Sequence, residues 1–272
     1  MSAVIAGLSG PRLTTLPPLA LYVHFPWCVR KCPYCDFNSH EWRGAGGFPE
    51  ADYVDALVAD LEAALPVIWG RRIYTIFFGG GTPSLLSGAS VDALLAAIRA
   101  RVPLDQEAEI TLEANPGTVE RDRFRAYCDA GVNRLSIGVQ SFNPKHLQKL
   151  GRIHDDGDAH RAIEAAQASF DNFNIDIMYA LPEQTRDEAA TDARTAIATG
   201  APHISAYHLT LEPNTYFARF PPPLPDDDLL ATIHDDIAAT LEGAGFEHYE
   251  TSAYGRPGHA CRHNLNYWRF GD

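Results

Sequence analysis

Six short apolar runs, rich in β-branched and aromatic residues, recur along the chain with helix-length amphipathic segments between them. The runs begin near Leu19 (LALYVHF), Arg72 (RIYTIFF), Ala108 (AEITLE), Arg134 (RLSIGVQ), Phe173 (FNIDIMY) and His203 (HISAYHLTL). Between them, apolar residues at spacings of three and four predict helices over Tyr53–Leu65, Val91–Val102, Thr118–Ala130, Ala159–Phe170 and Glu188–Thr199. Strand, helix, strand alternation makes successive strands parallel, because each crossover helix carries the chain back to the end of the sheet where the previous strand began. Runs this apolar are expected where both faces of a parallel sheet are covered, as in an α/β barrel or a doubly wound sheet. Periodicity does not choose between the two.

The alternation breaks at Pro221–Pro225 (PPPLP), after which Asp226, Asp227 and Asp228 are placed to cap a helix running to about Glu242. The chain is thereby expected to divide into a lead over 1–18, an α/β core over 19–220 and the beginning of a C-terminal subdomain over 221–272. It stops at Asp272 just after the aromatic-rich CRHNLNYWRFGD, without a terminating signal, and reads as a fragment. With 272 residues the core is large enough for one sizeable α/β domain. A formal charge of −13 argues against a surface that grips nucleic-acid phosphates broadly, so no nucleic-acid partner is expected. No run approaches the roughly 20 apolar residues of a membrane-spanning helix, and no secretory signal opens the chain, which is expected in the cytoplasm.

Five cysteines are present, an odd number, and three of them fall between positions 28 and 35. Such clustering suits metal ligation in a reducing compartment better than a disulfide framework. Immediately after the first strand, HFPWCVRKCPYCDFNSH places Cys28, Cys32 and Cys35 at C-x3-C-x2-C spacing on a short loop. Thiolates are soft ligands suited to iron–sulfur clusters, and two short gaps let one loop wrap three corners of a cuboidal cluster. Three ligands leave one iron of a four-iron cluster open to an exchangeable group. The competing reading is a zinc site of Cys3His type with His24 or His40 as the fourth ligand.

A C-x3-C-x2-C motif in this position resembles the signature of the radical SAM superfamily. The resemblance implies a partial (β/α)6 barrel with a short C-terminal extension. It implies a 4Fe-4S cluster on the three cysteines, with S-adenosylmethionine chelating the open iron. It gives the segment Gly79-Gly80-Gly81-Thr82-Pro83, at the end of the second strand, a contact with the methionyl amino group through Gly80, Gly81 and Thr82. By residue type and position, glycines there let backbone approach a ligand closely and offer unshielded N–H groups. Glu113 in LEANP, Gln140 in GVQS, Arg152 and Asp176 in NIDIMY lie at or near strand ends, where parallel α/β folds gather ligand groups. Matched to the branch that holds the oxygen-independent coproporphyrinogen oxidases and the HemW heme chaperones, these four join Tyr22 and Tyr34 as S-adenosylmethionine-binding positions. Cys128 reads as core, and His203 and His208 as packed or hydrogen-bonded strand residues.

PWCVRKCPYCDFNSH and CRHNLNYWRFGD look closest to the heme chaperone members of that branch, whose HNxxYW element is matched by His263 through Trp268. That resemblance implies heme as a further cofactor, with His263 as a heme contact, and transfer of heme to an acceptor protein. Spacing alone reads His263 equally well as a core histidine beside a buried tryptophan. The oxidases carry a cysteine two residues after the third ligand, where this chain has Phe37 after Asp36, and they extend further before the first strand. Both departures disfavour oxidative decarboxylation of coproporphyrinogen, the alternative function. A radical SAM enzyme acting on RNA is disfavoured by the acidic balance and by the absence of a basic appended module. No residue is assigned a catalytic role, and a homodimer is compatible with the chain although no residue marks its interface.

Overall fold

A computed structural model describes residues 15–44, 47–117 and 120–272. In chain order the elements are β1 (Leu19–Phe25), β2 (Trp27–Cys28), β3 (His40–Glu41), α1 (Glu50–Ile68), β4 (Ile73–Gly80), α2 (Gly88–Arg101), β5 (Leu104–Ala114), α3 (Glu120–Ala130), β6 (Arg134–Gln140), α4 (Pro144–Lys149) and α5 (Asp156–Gln167). There follow β7 (Phe173–Tyr179), α6 (Arg186–Ala198), β8 (His203–His208), α7 (Tyr216–Arg219), α8 (Asp227–Gly243), β9 (Glu247–His248), β10 (Ala253–Gly255) and α9 (Arg262–Trp268). The expected strands are all present. The helices begin two or three residues before their first periodic apolar residue, because the cap sets the start: Ser87 accepts from Ser90 N–H before α2, while Asp155 and Thr185 form capping boxes before α5 and α6. Thr118, the expected start of the third helix, lies outside the described residues.

The eight-stranded sheet runs β1-β4-β5-β6-β7-β8-β10-β9. From β1 to β8 every neighbouring pair is parallel and follows chain order, so the strands curl in one sense into an incomplete (β/α)6 barrel with helices outside. Residues 221–272 are built onto this barrel. Ile233, Ile237 and Leu241 of α8 belong to the main core, and β10 adds to the sheet antiparallel to β8. The last residue turns back to β1, where Asp272 N–H donates to Pro18 O and Asp272 O accepts from Ala20 N–H. Arg71 holds its carboxylate at 2.7 Å.

The strands are not apolar on both faces. Ile110, Leu112, Leu135, Ile137, Val139, Ile175, Ile177 and Ile204 pack into the core, whereas the residues between them point into a cavity. There Glu113, Arg134, Ser136, Asn174, Asp176 and Ser205 line the interior. A period of two is therefore present in β5 to β8 beneath their high apolar content, and it separates helix-covered positions from ligand-facing ones. Leu112, fully buried at the centre of the helix-covered face, tests this packing. Leu112→Ala is expected to cost about 3 kcal/mol of stability, read as a lowered midpoint in urea.

Candidate functional site

The cysteine loop is clamped from both sides. On one side, β2 and β3 pair Trp27 with His40 and Cys28 with Glu41, and Trp27 packs edge-on against Tyr53 at 4.8 Å between ring centroids. Lys31 Nζ donates to Phe37 O (3.0 Å) and Ser39 O (2.8 Å), drawing the loop closed. On the other side, Phe217 N–H of α7 donates to Pro33 O, and Arg152 Nη1 reaches Cys32 Sγ at 3.7 Å. Burial pushes the Cys28 thiol up; hydrogen bonds from Thr82 and Ser39 oppose this, while the nearby Cys35 and Cys32 sulfurs push the same way as burial. All three cysteines face the mouth of a cavity of about 520 Å³ that runs down the barrel interior.

Among the described residues, no group of three or more His, Cys, Asp or Glu side chains converges on a single ion. The two candidate fourth ligands of a zinc site are engaged or turned away. Both nitrogens of His24 are engaged, Nδ1 with Tyr22 Oη (3.0 Å) and Nε2 with Asn38 O (2.8 Å), and His40 is exposed. Three thiols spread around a cavity mouth fit the donor set of a cuboidal cluster better than that of one tetrahedral ion. The Arg152 cation beside Cys32 favours the anionic charge that thiolates and inorganic sulfides bring.

Of the sequence-derived binding positions, Tyr34, Gly80, Gly81 and Thr82 line the cavity, as do Glu113, Gln140, Arg152 and Asp176. Arg152 is the centre of this group. Its Nη2 donates to Gly138 O and to Asn115 Oδ1, both at 2.6 Å, and Asn115 Nδ2 donates to Thr82 Oγ1 at 3.1 Å. The chain of bonds ties the ends of β4, β5 and β6 to the cysteine loop. Gln140 sits at an irregularity in the β6–β7 register with φ of 69°, a left-handed conformation that costs a non-glycine residue energy and turns the strand end into the mouth. Tyr22 does not line the cavity. It stacks with Phe77 (6.4 Å), and burial, followed by Glu113, pushes its hydroxyl up to about 12.

The glycine segment works differently from its sequence-based expectation. Gly81 N–H donates to Phe25 O (2.6 Å) and Thr82 N–H to Trp27 O (2.8 Å), while Gly80 N–H donates to Glu113 Oε2 (3.3 Å). These N–H groups are consumed inside the protein, and the close approach that glycine permits is to β1 and the cysteine loop. A Cβ on Gly81 would stand 2.5 Å from Trp27 O, and one on Gly80 2.7 Å from the His24 ring. What the segment offers a ligand is carbonyl oxygen and the Thr82 hydroxyl.

Glu113 is half-buried in the cavity wall, and its carboxyl is pushed up to about 8 by desolvation and then by Asp176, against the Gly80 N–H bond. Asp176 is raised by burial too, although Asn174 and Ser205 hold its charged form. The cavity wall near the cluster loop therefore keeps a proton at neutral pH.

His263 lies outside the cavity lining. It is 3% exposed, pairs Nδ1 with Thr75 Oγ1 at 2.9 Å, stacks on Phe77 at 5.0 Å and leaves Nε2 buried without a partner. Burial pushes its imidazole down to about 4, so the ring is neutral. It is a core histidine, but its neighbour Trp268 is 55% exposed, not buried. His203 is also packed, with Nδ1 against Asn174 Oδ1 and Nε2 against Tyr249 Oη, whereas His208 stands exposed at the cavity rim. Sequence reasoning missed Asn115, Arg134 and Glu109. Asn115 lies two residues after Glu113, on the same side of the chain, while Arg134 opens β6 and Glu109 lies within β5, both charges in step with the inward period.

The match to known proteins follows this geometry. A family model described as the radical SAM superfamily covers residues 22–196. The heme chaperone HemW of Escherichia coli is 55% identical over 261 residues, which span 96% of this chain and 68% of that protein. The heme chaperone HemW of Haemophilus influenzae is 53% identical, over 94% of this chain and 68% of the relative. Among solved structures, the E. coli coproporphyrinogen III oxidase HemN, described as a radical SAM enzyme, superposes with a TM-score of 0.80 at 28% identity. That superposition covers 89% of this chain but only 56% of the HemN chain. The chain belongs to the radical SAM superfamily; within it, the family is that of the HemW proteins. Membership implies the four-iron cluster and S-adenosylmethionine whose donor set the cavity supplies.

Two outcomes are expected. Gly81→Ala displaces the loop through Trp27 and should lower iron and sulfide content after anaerobic reconstitution to below about half that of the parent, as expected for a sub-3 Å backbone clash. Because the folded value of Glu113 lies above the ordinary one, its burial weakens the fold progressively as pH rises from 4.5 to about 8. Glu113→Gln should remove that slope from the urea midpoint measured against pH.

Proposed function

We propose that this chain is a heme chaperone, carrying the cluster and S-adenosylmethionine in the barrel and passing heme to an acceptor protein. The observation that carries this is 55% identity, across 96% of the chain, to a protein named heme chaperone HemW. Cys28, Cys32 and Cys35 would hold the cluster, with Arg152 balancing its charge beside Cys32. Gly80, Gly81 and Thr82 would line the methionyl end through carbonyl and hydroxyl groups; Tyr34, Glu113, Gln140 and Asp176 would line the rest of the S-adenosylmethionine site, with Tyr22 behind Phe77. When bound, the pair supplies one-electron chemistry at the open iron. The protein's own residues orient the ligand, keep water from the sulfurs and hold the proton on Glu113. Free thiols on a partly exposed loop suit the reducing cytoplasm.

Heme is assigned to the C-terminal helix. Tyr22, Phe77, His263 and Tyr267 form a continuous run of rings, and Tyr267 and Trp268 present exposed aromatic faces of the kind that cover a porphyrin. His263 contributes a neutral imidazole with a free Nε2 just behind them. Coproporphyrinogen oxidation shares the fold but has weaker support. The oxidase structure is 28% identical, and Phe37, 59% exposed at the cavity mouth, stands where the oxidases carry a thiol.

Heme titration of anaerobically reconstituted protein tests this by optical spectroscopy. The parent should take up heme with its cluster intact, Cys28→Ala should lose the cluster yet keep heme, and His263→Ala should change the heme spectrum. Absence of heme uptake together with consumption of coproporphyrinogen in the presence of S-adenosylmethionine would replace this function by the oxidase.

A further inference from the structure

Each cysteine of the loop has a hydrogen-bond donor beside its sulfur, and two of the donor groups are held independently of the third. Ser39 serves Cys28 and Cys35 alike, with Oγ 3.7 Å from Cys35 Sγ, and its buried backbone is fixed by Lys31 Nζ, which donates to Ser39 O at 2.8 Å. Arg152 Nη1 lies 3.7 Å from Cys32 Sγ, and Gly138 O holds the same guanidinium at 2.6 Å. Thr82, which also hydrogen-bonds Cys28, differs from these, because a hydroxyl has a single proton that rotates to whichever acceptor suits it. The residue that directs this proton is Asn115.

The orientation of Asn115 is itself fixed by charge. A guanidinium carries donors and no acceptor, so the amide atom that faces Arg152 Nη2 at 2.6 Å is the oxygen. The amide nitrogen therefore faces Thr82 and donates to Oγ1 at 3.1 Å. With Oγ1 an acceptor on that side, the Thr82 proton cannot point at Asn115 and is left for the Cys28 sulfur, and because Thr82 is buried, bulk water does not compete for it. The packing keeps the amide in this orientation. A Cβ on Gly138 would stand 2.8 Å from Asn115 Oδ1, so β6 passes this close to the amide because residue 138 is glycine.

We infer that Asn115 is a positioning residue that sets the reduction potential of the cluster, by turning the Thr82 hydroxyl toward Cys28. The inference rests on the reading that Cys28, Cys32 and Cys35 hold the cluster. One-electron reduction adds negative charge to the thiolates and sulfides, so a donor aimed at a sulfur favours the reduced form and raises the potential. Asn115 touches none of the three sulfurs through a bond of its own. It acts through the direction of one proton, since Arg152 keeps its charge and its bond to the Gly138 carbonyl when the amide is removed.

A dithionite titration of the anaerobically reconstituted chain, without S-adenosylmethionine and followed by electron paramagnetic resonance, tests it. Thr82→Val and Asn115→Leu should each shift the reduction equilibrium about tenfold toward the oxidised form, about 59 mV lower for one electron, as loss of a hydrogen bond to a charged group predicts. Iron and sulfide contents should stay at the parent's level. The double variant should match Thr82→Val alone, because Asn115 acts through a hydroxyl that valine lacks. An unchanged potential in Asn115→Leu at full iron content, or shifts that add in the double variant, would overturn the inference. If Asn115→Leu does not take up its cluster, Asn115→Asp replaces it. The carboxylate still accepts from Arg152 but cannot donate to Thr82, so its shift should be smaller in the Thr82→Val background, where only the added charge acts; equal shifts in the two backgrounds overturn the inference. A parent that binds no iron defeats the cluster reading and this inference together. Unchanged potentials at full iron content defeat this inference alone, whereas missing heme uptake with the shifts present defeats the chaperone function alone.

Discussion

The guanidinium of Arg152, half-buried in the cavity wall, is the group on which the site depends. It joins three elements that are far apart in sequence: the Gly138 carbonyl at the end of β6, Asn115 after β5 and the Cys32 sulfur on the loop after β1. Through Asn115 it also reaches Thr82 at the end of β4. Strand ends of a parallel sheet are natural ligand sites because successive loops meet there, but loops are mobile unless tied down. Here one cation with several rigid donors fixes four of them, and it places positive charge beside the sulfurs where a cluster with thiolate ligands would be anionic.

The opposite end of the barrel is fixed by a carboxylate. Glu109 supplies the cap that Cys261 does not, and with it α9 is held across β4 and β5, where His263 meets Thr75 and Phe77. Cys261 and Asn264 of this helix line the same cavity as the cluster cysteines. The helix that carries the exposed Tyr267 and Trp268 is therefore also a wall of the cluster cavity, so the proposed heme face and the cluster chamber share one short element. Short helices gain little from their own hydrogen bonds, and this one owes its position to Glu109 and to ring contacts.

Much of the fold was legible because strands and long helices announce themselves locally. Apolar content marked β1 and β4 to β8, spacing marked α1, α2, α3, α5 and α6, and the cap at Asp226–Asp228 marked α8. Elements of a few residues, such as β2, β3, α7 and α9, carry too little periodicity to show, and their existence depends on partners: β2 on β3, α7 on Pro33, α9 on Glu109. The inward period of two in β5 to β8 was present in the sequence but masked, because Thr, Ser, Gly and Tyr alternate with Ile and Leu without a sharp contrast in polarity. The glycine segment misled for a related reason. Sequence shows that Gly81 permits a close approach, but not to what, and the structure gives that approach to Trp27.

By itself the sequence determined the chemistry: three thiols at spacings that one loop can wrap around a cluster, and a strand and helix rhythm that places this loop at the end of a parallel sheet. Both are local properties, fixed by side-chain type and by spacings of a few residues. Only the tertiary structure decided which of the remaining polar residues share the cavity. It brought Asn115 to Arg152, stacked Tyr22 and His263 on Phe77, and set Arg134 at the inner end among Glu109, Asp176, Cys261 and Tyr249. Such choices depend on strand register and on the curl of the sheet, which set distances between residues many positions apart and which no local pattern encodes.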